Sequence, residues 1–385
     1  MNYLLDQTFY QLADCLSGRL SSEDMLSLFK VEDTYLGIIE LANQYWLTGH
    51  LVSALRTANI LHCLSEEVSS YLQELEQVYI ERAYQIGQEL SALNAHFKAQ
   101  DITAIAFKGA HALLAGISQP ASIRFMKDID LILAVEHLEQ AQNVLVKRGY
   151  VAEEESAIVE DSHHHVAPLL NPAQTCFVEL HRAPLRDIAH AILPESLIWK
   201  NAEFIENNDG QVLNNNACAF RGLTPTHQVI VCIAHNEISD RAYDSLHIDM
   251  QQITNLYLLV KSYEQEIDWH EVSTRFQLAN RFYALEFSLF VLKELFKIDT
   301  PITPKQSTEL KGRLERAIKR YVDAKPGSHF LPAVRAQLAM YAKHNIKANF
   351  GENHSLILGW VKQFGRHILQ VANPSLLKRF FDANR

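Results

Sequence analysis

Apolar residues recur at three- and four-residue spacing through residues 1–98. Leu51, Ala54, Leu55, Ala58, Leu61 and Leu64 form one series, and Leu72, Leu75, Val78, Tyr79 and Ala83 form another. That period places each series on one face of a helix. Proline is absent from 1–98, and glycine occurs only at Gly18, Gly37, Gly49 and Gly87, so long helices are predicted. No chemistry is evident here, and Asp24 and Glu40 are read as surface charges.

The pattern changes after residue 98. Ile102–Phe107 is a short apolar run suited to a buried strand, Lys108-Gly109 is a turn, and Ala110–Ala115 suits a helix. Lys127–Leu133 alternates charged and apolar residues like a strand. Glu136–Lys147 suits a helix closed by Arg148-Gly149-Tyr150, where Gly149 can take the left-handed cap. Val151–Glu155 suits a strand, and two further strands, His163–Leu170 and Thr175–His181, flank the turn Asn171-Pro172-Ala173-Gln174. This β-α-β-α-β-β order predicts a small mixed sheet with helices on one side. From Thr224-Pro225 the chain reads as helical again, with a hydroxyl N-cap and proline at the first helical position. Later helices are predicted over Asp249–Tyr263, His270–Phe296 and Gln306–Ala324. The fold class expected is α+β: a helical region over 1–98, an α/β core over 99–205 and a helical domain over 206–385.

The length of 385 residues suits two or three such units, and 48% apolar residues permit a packed core. The start lacks the basic and apolar segments of a secretory signal. No apolar run reaches the roughly 18 residues that span a bilayer. Five cysteines without a CxxC spacing suit free thiols in a reducing cytoplasm. The net charge of −10 is unevenly spread: residues 301–385 carry 15 Lys+Arg against 5 Asp+Glu. A basic section could meet phosphates, RNA or an acidic membrane surface, but docking on the acidic remainder or solvating helices is the simpler reading.

Two carboxylates stand two apart in Asp128-Ile129-Asp130. On a strand they share one face, while Ile129, Leu131 and Leu133 face the core. Adjacent acids repel, and a hard cation such as Mg²⁺ relieves that repulsion. Taken alone, the pair is more simply explained as ordinary acids on a solvent-facing strand. Its surroundings add to it. Some twenty residues upstream a strand runs into Lys108-Gly109 and a helix, where glycine permits close approach to a phosphate and free amides face an anion. Arg124 suits a second phosphate contact. Phe177, Glu179 and His181 share a face of their own strand. Were that strand beside the Asp128 strand, Glu179 would complete a three-carboxylate cluster able to hold two metal ions.

The segment FKGAHALLAGISQPASIRFMKDIDLIL, followed by VELHRAP, resembles the DNA polymerase β-like nucleotidyltransferase superfamily, within it the bacterial proteins labelled uncharacterised nucleotidyltransferases. The resemblance covers about 80 residues. It implies transfer of a nucleoside monophosphate from an NTP, with ATP the expected nucleotide, to a hydroxyl acceptor, with release of pyrophosphate. Lys108, Gly109 and the amide of Ala110 would hold phosphates, Arg124 would contact phosphate, and His181 would touch the nucleotide or support the acids. Asp128, Asp130 and Glu179 would be catalytic and ligate Mg²⁺, two ions being expected and Mn²⁺ a substitute. Two departures stand out: Gly109-Ala110 where the superfamily often has Gly-Ser, and Glu179 where many members have Asp. They leave open a second reading, a weak or inactive nucleotide- or partner-binding module such as a toxin–antitoxin component. The acceptor stays open among a small molecule, a protein and a tRNA, as for toxin-like relatives that modify tRNA, and a protein partner is a further option.

Other residues weigh less. Consecutive His163-His164-His165 on a strand cannot converge on one metal; at best His163 and His165 share a face. His111 could face ligand or solvent, and Lys127 reads as peripheral. His235, Asp244, His247 and Asp249 form a polar interruption between helices, read as decorated helix ends. No GxSxG, GxGxxG or GxxxxGK[ST] is present.

Overall fold

The computed structural model describes residues 2–117, 120, 123–152, 166–172, 176–205, 220–304 and 308–323. His163, His164, His165, Cys218 and most of the basic C-terminal section lie outside them.

The N-terminal helices are α1 (Asn2–Ser17), α2 (Ser22–Leu28), α3 (Glu32–Gln44), α4 (Thr48–Thr57) and the long α5 (Glu66–Lys98). Ser65 caps α5 by accepting a hydrogen bond from the Val68 amide. The middle of the chain carries β1 (Ala104–Ala106), α6 (Lys108–Leu114), β2 (Asp128–Leu133), α7 (Val135–Lys147), β3 (Val151–Ala152), β4 (Leu169–Leu170) and β5 (Phe177–His181). It continues with α8 (Glu195–Asn201), β6 (Glu203–Phe204) and β7 (Arg221–Gly222). Next come α9 (Pro225–Ala234), a π-helical turn over His235–Ser239, α10 (Ala242–Ser245), α11 (Met250–Ser262), α12 (Trp269–Leu278), α13 (Phe282–Phe296) and α14 (Thr308–Asp323). The single helix expected over His270–Phe296 is two. Asn280 takes a left-handed φ of +54° and closes α12, a conformation asparagine tolerates better than most residues.

Among the described residues the sheet runs β3-β4-β5-β2-β1-β7-β6. Strand β2 is central, antiparallel to β1 and parallel to β5. The sheet extends past residue 205, because β7 pairs in parallel with β1. Alternation divides β2 as expected. Ile129, Leu131 and Leu133 are fully buried and pack with Ala106, Val178 and Leu180 against the C-terminal half of α5, α6 and α7. The expectation of helices on one side only is corrected. Ile105 and Ile132 point to the opposite face, which would stay wet without a second cover. They join a larger core built from helices of both ends of the chain.

Those two ends are tied directly. Arg19 donates to the carbonyl oxygens of Leu295 and Phe296, satisfying the end of α13. Tyr257 donates to the Ser17 carbonyl at 3.2 Å, and the Phe9 and Tyr321 rings meet edge to face at 5.1 Å. No described helix is long and apolar enough to cross a membrane.

Candidate active site

The turn after β1 is made by an unusual backbone. Phe107 is extended, and Lys108 takes a left-handed φ of +50° as the first residue of α6. Non-glycine residues adopt that conformation at a cost, and such positions gather at functional sites. The turn aims the Lys108 ammonium at β2, where Nζ lies 3.1 Å from Asp130 Oδ1. Gly109 lines the cavity beside the acids. A Cβ there would lie 3.0 Å from Met126 Cε, so glycine admits the close packing of Met126 as well as exposing backbone. The Ala110 side chain is buried in the core below the turn, leaving only its amide for any ligand.

Parallel pairing of β2 and β5 sets Asp130 opposite Glu179 and Asp128 opposite Phe177. Asp128, Asp130 and Glu179 therefore share one face. Burial and the neighbouring Asp130 push the Asp128 carboxyl up to about 6. Burial also opposes ionisation of Asp130, but Lys108 and His181 outweigh it and hold that carboxyl well below the usual carboxylate range. For Lys108 burial would lower the ammonium, yet Asp130, Asp128 and Glu179 keep it above its ordinary range. His181 is 1% exposed; its Nε2 lies 2.8 Å from Asp130 Oδ1 and 3.4 Å from Glu179 Oε2. Burial would depress that imidazole, but the hydrogen bonds to the two carboxylates raise it. His181 thus bridges the acids from behind, and neither it nor Glu179 lines the cavity.

A cavity of about 290 Å³ opens between this face and helices α9 and α11. Lys108, Gly109, Arg124, Asp128 and Asp130 line one side; Cys232, Gln252 and Asn255 line the other. The Arg124 Nη1 donates to Asn255 Oδ1 at 2.5 Å. Burial pushes the Arg124 guanidinium below its ordinary range, an effect opposed by the charges of Asp130 and Asp128. His50 of α4 is buried nearby, held neutral at about 3 by burial and by Arg124.

No described residue of 1–98 lines the cavity, but the N-terminal helices support the 123–127 segment that does. Arg82 of α5 donates to the Met126 and Lys127 carbonyls. Gly49 of α4 sits so close to the 123–127 segment that a Cβ would lie 2.6 Å from the Ile123 carbonyl oxygen. Lys127 lines the cavity rather than standing apart from it.

The remaining candidates divide. His235 and Asp249 line the cavity, and Asp244 and His247 do not. Asp249 accepts from the Gln251 and Gln252 amides and so caps α11. His111 is buried and does not line this cavity: it accepts from Gln228 Nε2 at 2.8 Å, and burial pushes it down to about 4. Asn255, Gln252 and Trp46 were not singled out in sequence; nothing local distinguishes them from other polar or aromatic helix residues.

Among the described residues one group of three, Asp130, Glu179 and His181, brings its ligand atoms together, one from each within 4.8 Å of one another, and Asp128 shares the face of Asp130 and Glu179. Asp128, Asp130 and Glu179 offer only oxygen, which suits Mg²⁺. A family model described as an uncharacterised nucleotidyltransferase matches residues 36–297. That span runs from α3 past the end of α13 and takes in all the cavity walls. No curated protein and no solved structure matches the chain.

Proposed function

We propose that this chain, which belongs to the uncharacterised nucleotidyltransferase family, transfers a nucleoside monophosphate from a nucleoside triphosphate, ATP foremost, to a hydroxyl acceptor and releases pyrophosphate. The supporting observation is the register that sets Asp130 opposite Glu179 with Asp128 on the same face, beside a cavity that Lys108 and Arg124 also enter.

The acids fit Mg²⁺. Burial and the charge of Asp130 hold the Asp128 proton up to about pH 6, and every donor is an oxygen. Asp128, Asp130 and Glu179 would hold one or two such ions, which when bound supply charge neutralisation for the acids and the triphosphate. Lys108 and the Gly109 and Ala110 amides would take up phosphate oxygens, and Arg124 would stabilise charge gathering on the phosphoryl group. The acceptor oxygen would attack the α-phosphorus in line while the bond to the β-phosphate oxygen breaks. Glu179 would orient that hydroxyl or receive its proton. His181 would keep Asp130 and Glu179 in place.

The test is incubation with Mg²⁺, labelled triphosphates and candidate acceptors. Transfer is expected from the native chain and lost in Asp128→Ala/Asp130→Ala; transfer surviving both changes would refute the assignment. One observation favours a second reading, a nucleotide-binding module without turnover. Lys108 and His181 already neutralise Asp130, and Glu179 stands back from the cavity. Metal-dependent binding of a non-hydrolysable triphosphate with no transfer to any acceptor would select it.

A further inference from the structure

An aromatic and cationic stack is built on two residues of the cavity wall, Phe125 and Lys127. The Trp46 and Phe125 rings are stacked at 4.3 Å with 15° between their planes. The Arg82 guanidinium lies 4.6 Å from the Phe125 ring centroid, and the Lys127 ammonium lies 5.1 Å from the Trp46 ring. Tyr79 meets Phe125 at 5.2 Å. Phe125 and Lys127 line the same cavity as Asp128 and Asp130. Trp46 nevertheless keeps 37% of its surface exposed. Its backbone is left-handed, with φ +55°, a conformation unfavourable to a bulky residue. The turn that ends α3 therefore leaves a large flat ring partly in water, against a residue that lines the cavity.

We infer that this stack seats the nucleobase of the acceptor, so that the acceptor hydroxyl belongs to a nucleoside. The inference rests on the transfer reading and names its second substrate. Aromatic faces bind bases of any identity, and interleaved cations meet the adjoining phosphates. Phe125 and Lys127 supply one of each within three residues of Asp128, a chain span of at most about 11 Å. A base on the exposed indole would replace the Lys127 ammonium there and leave that cation for a phosphate. The nucleoside is either the 3′ end of a single-stranded RNA or a free nucleotide; both present the same base and ribose hydroxyl.

Binding is read without turnover. The full chain is titrated with a single-stranded oligoadenylate and separately with AMP, following tryptophan quenching and the anisotropy of a labelled oligomer. Each titration is repeated with Mg²⁺ and a saturating non-hydrolysable ATP analogue. Quenching is expected with the analogue bound, because donor and acceptor occupy different places. Trp46→Leu should weaken binding roughly 5- to 100-fold, while Trp46→Phe, which keeps a ring, should change it less than about threefold. Lys127→Gln, at an exposed position, should weaken the oligomer more than AMP and flatten its salt dependence. Binding of the oligomer alone assigns an RNA end, and binding of AMP alone assigns a free nucleotide. Unchanged affinity in both Trp46→Leu and Lys127→Gln overturns the proposal. So does displacement of either ligand by the analogue, which would make the stack the donor's seat. If the analogue binds but neither acceptor probe does, this inference fails and the transfer reading stands. If the probes bind but the analogue does not, the transfer reading fails instead.

Discussion

Arg124 and Asn255 lie 131 residues apart and meet at 2.5 Å, guanidinium to amide oxygen, across the cavity. The pair fastens the segment leading into β2 to helix α11. It also fixes where the Arg124 charge sits relative to Asp128 and Asp130, both of which act on it.

Removing that acceptor should therefore cost ligand binding. Hydrogen bonds to charged groups contribute about 1.5–3 kcal/mol, so Asn255→Ala should weaken triphosphate binding roughly 10- to 150-fold. Calorimetric titration with a non-hydrolysable triphosphate measures it. Native affinity in the variant would show that Arg124 needs no support from α11.

Asp128 makes the metal-free protein sensitive to pH. Its carboxyl rises from 3.8 to about 6 on folding, so the folded state binds the proton more tightly than the unfolded one. This contribution is whole below pH 3.8 and is lost as pH climbs through about 6, to the extent of about 2–3 kcal/mol. Asp128→Asn should remove that part of the decline. Added Mg²⁺ should raise the unfolding temperature more at pH 7.5 than at pH 5, as scanning calorimetry with and without chelator would record. An equal effect at both values would argue against cation binding at these acids.

Glu237 offers a second, separate titration. It lies on the π-helical turn, 2% exposed, and its Oε1 accepts from Asn236 and Ser288. Its Oε2 has no hydrogen-bond partner. Burial pushes the carboxyl from 4.5 up to about 8. Stability from this group is again whole below the lower value and lost toward the higher, a decline on the order of a few kcal/mol. Glu237→Gln should keep the bonds, remove the charge and raise the unfolding temperature at pH 8 relative to the native chain. An unchanged or lower value would mean the carboxylate is better accommodated than its burial implies.

Gly49 tests whether the N-terminal helices hold the site. A Cβ there meets the Ile123 carbonyl and Cα at 2.6 and 2.9 Å, and backbone cannot swing aside. Gly49→Ala should lower stability by about 1–3 kcal/mol. It should also weaken triphosphate binding, because Ile123 leads directly into Arg124. Urea unfolding and titration on one preparation report both, and loss of stability with native affinity would separate α4 from the site.

The sequence by itself determined whatever depends on neighbours along the chain. Asp128 and Asp130 share a face because a strand alternates, and the Lys108-Gly109 turn was visible because an apolar run stops at it. Gly149, with φ +94°, closes α7 as its place after a helical run predicts. The break at Asn280 was missed because the apolar spacing carries on through it. Tertiary structure decided what alternation and spacing cannot reach. Only strand pairing could set Glu179 beside Asp130 and turn His181 behind them. Only packing could bring α11 to Arg124, and α4 and α5 to the 123–127 segment. It also set Trp46 on Phe125, 79 positions along the chain. A strand or helix period is enforced by local sterics and recurs wherever the residues allow it, whereas these contacts exist because three separate helical segments must bury their apolar faces on one sheet.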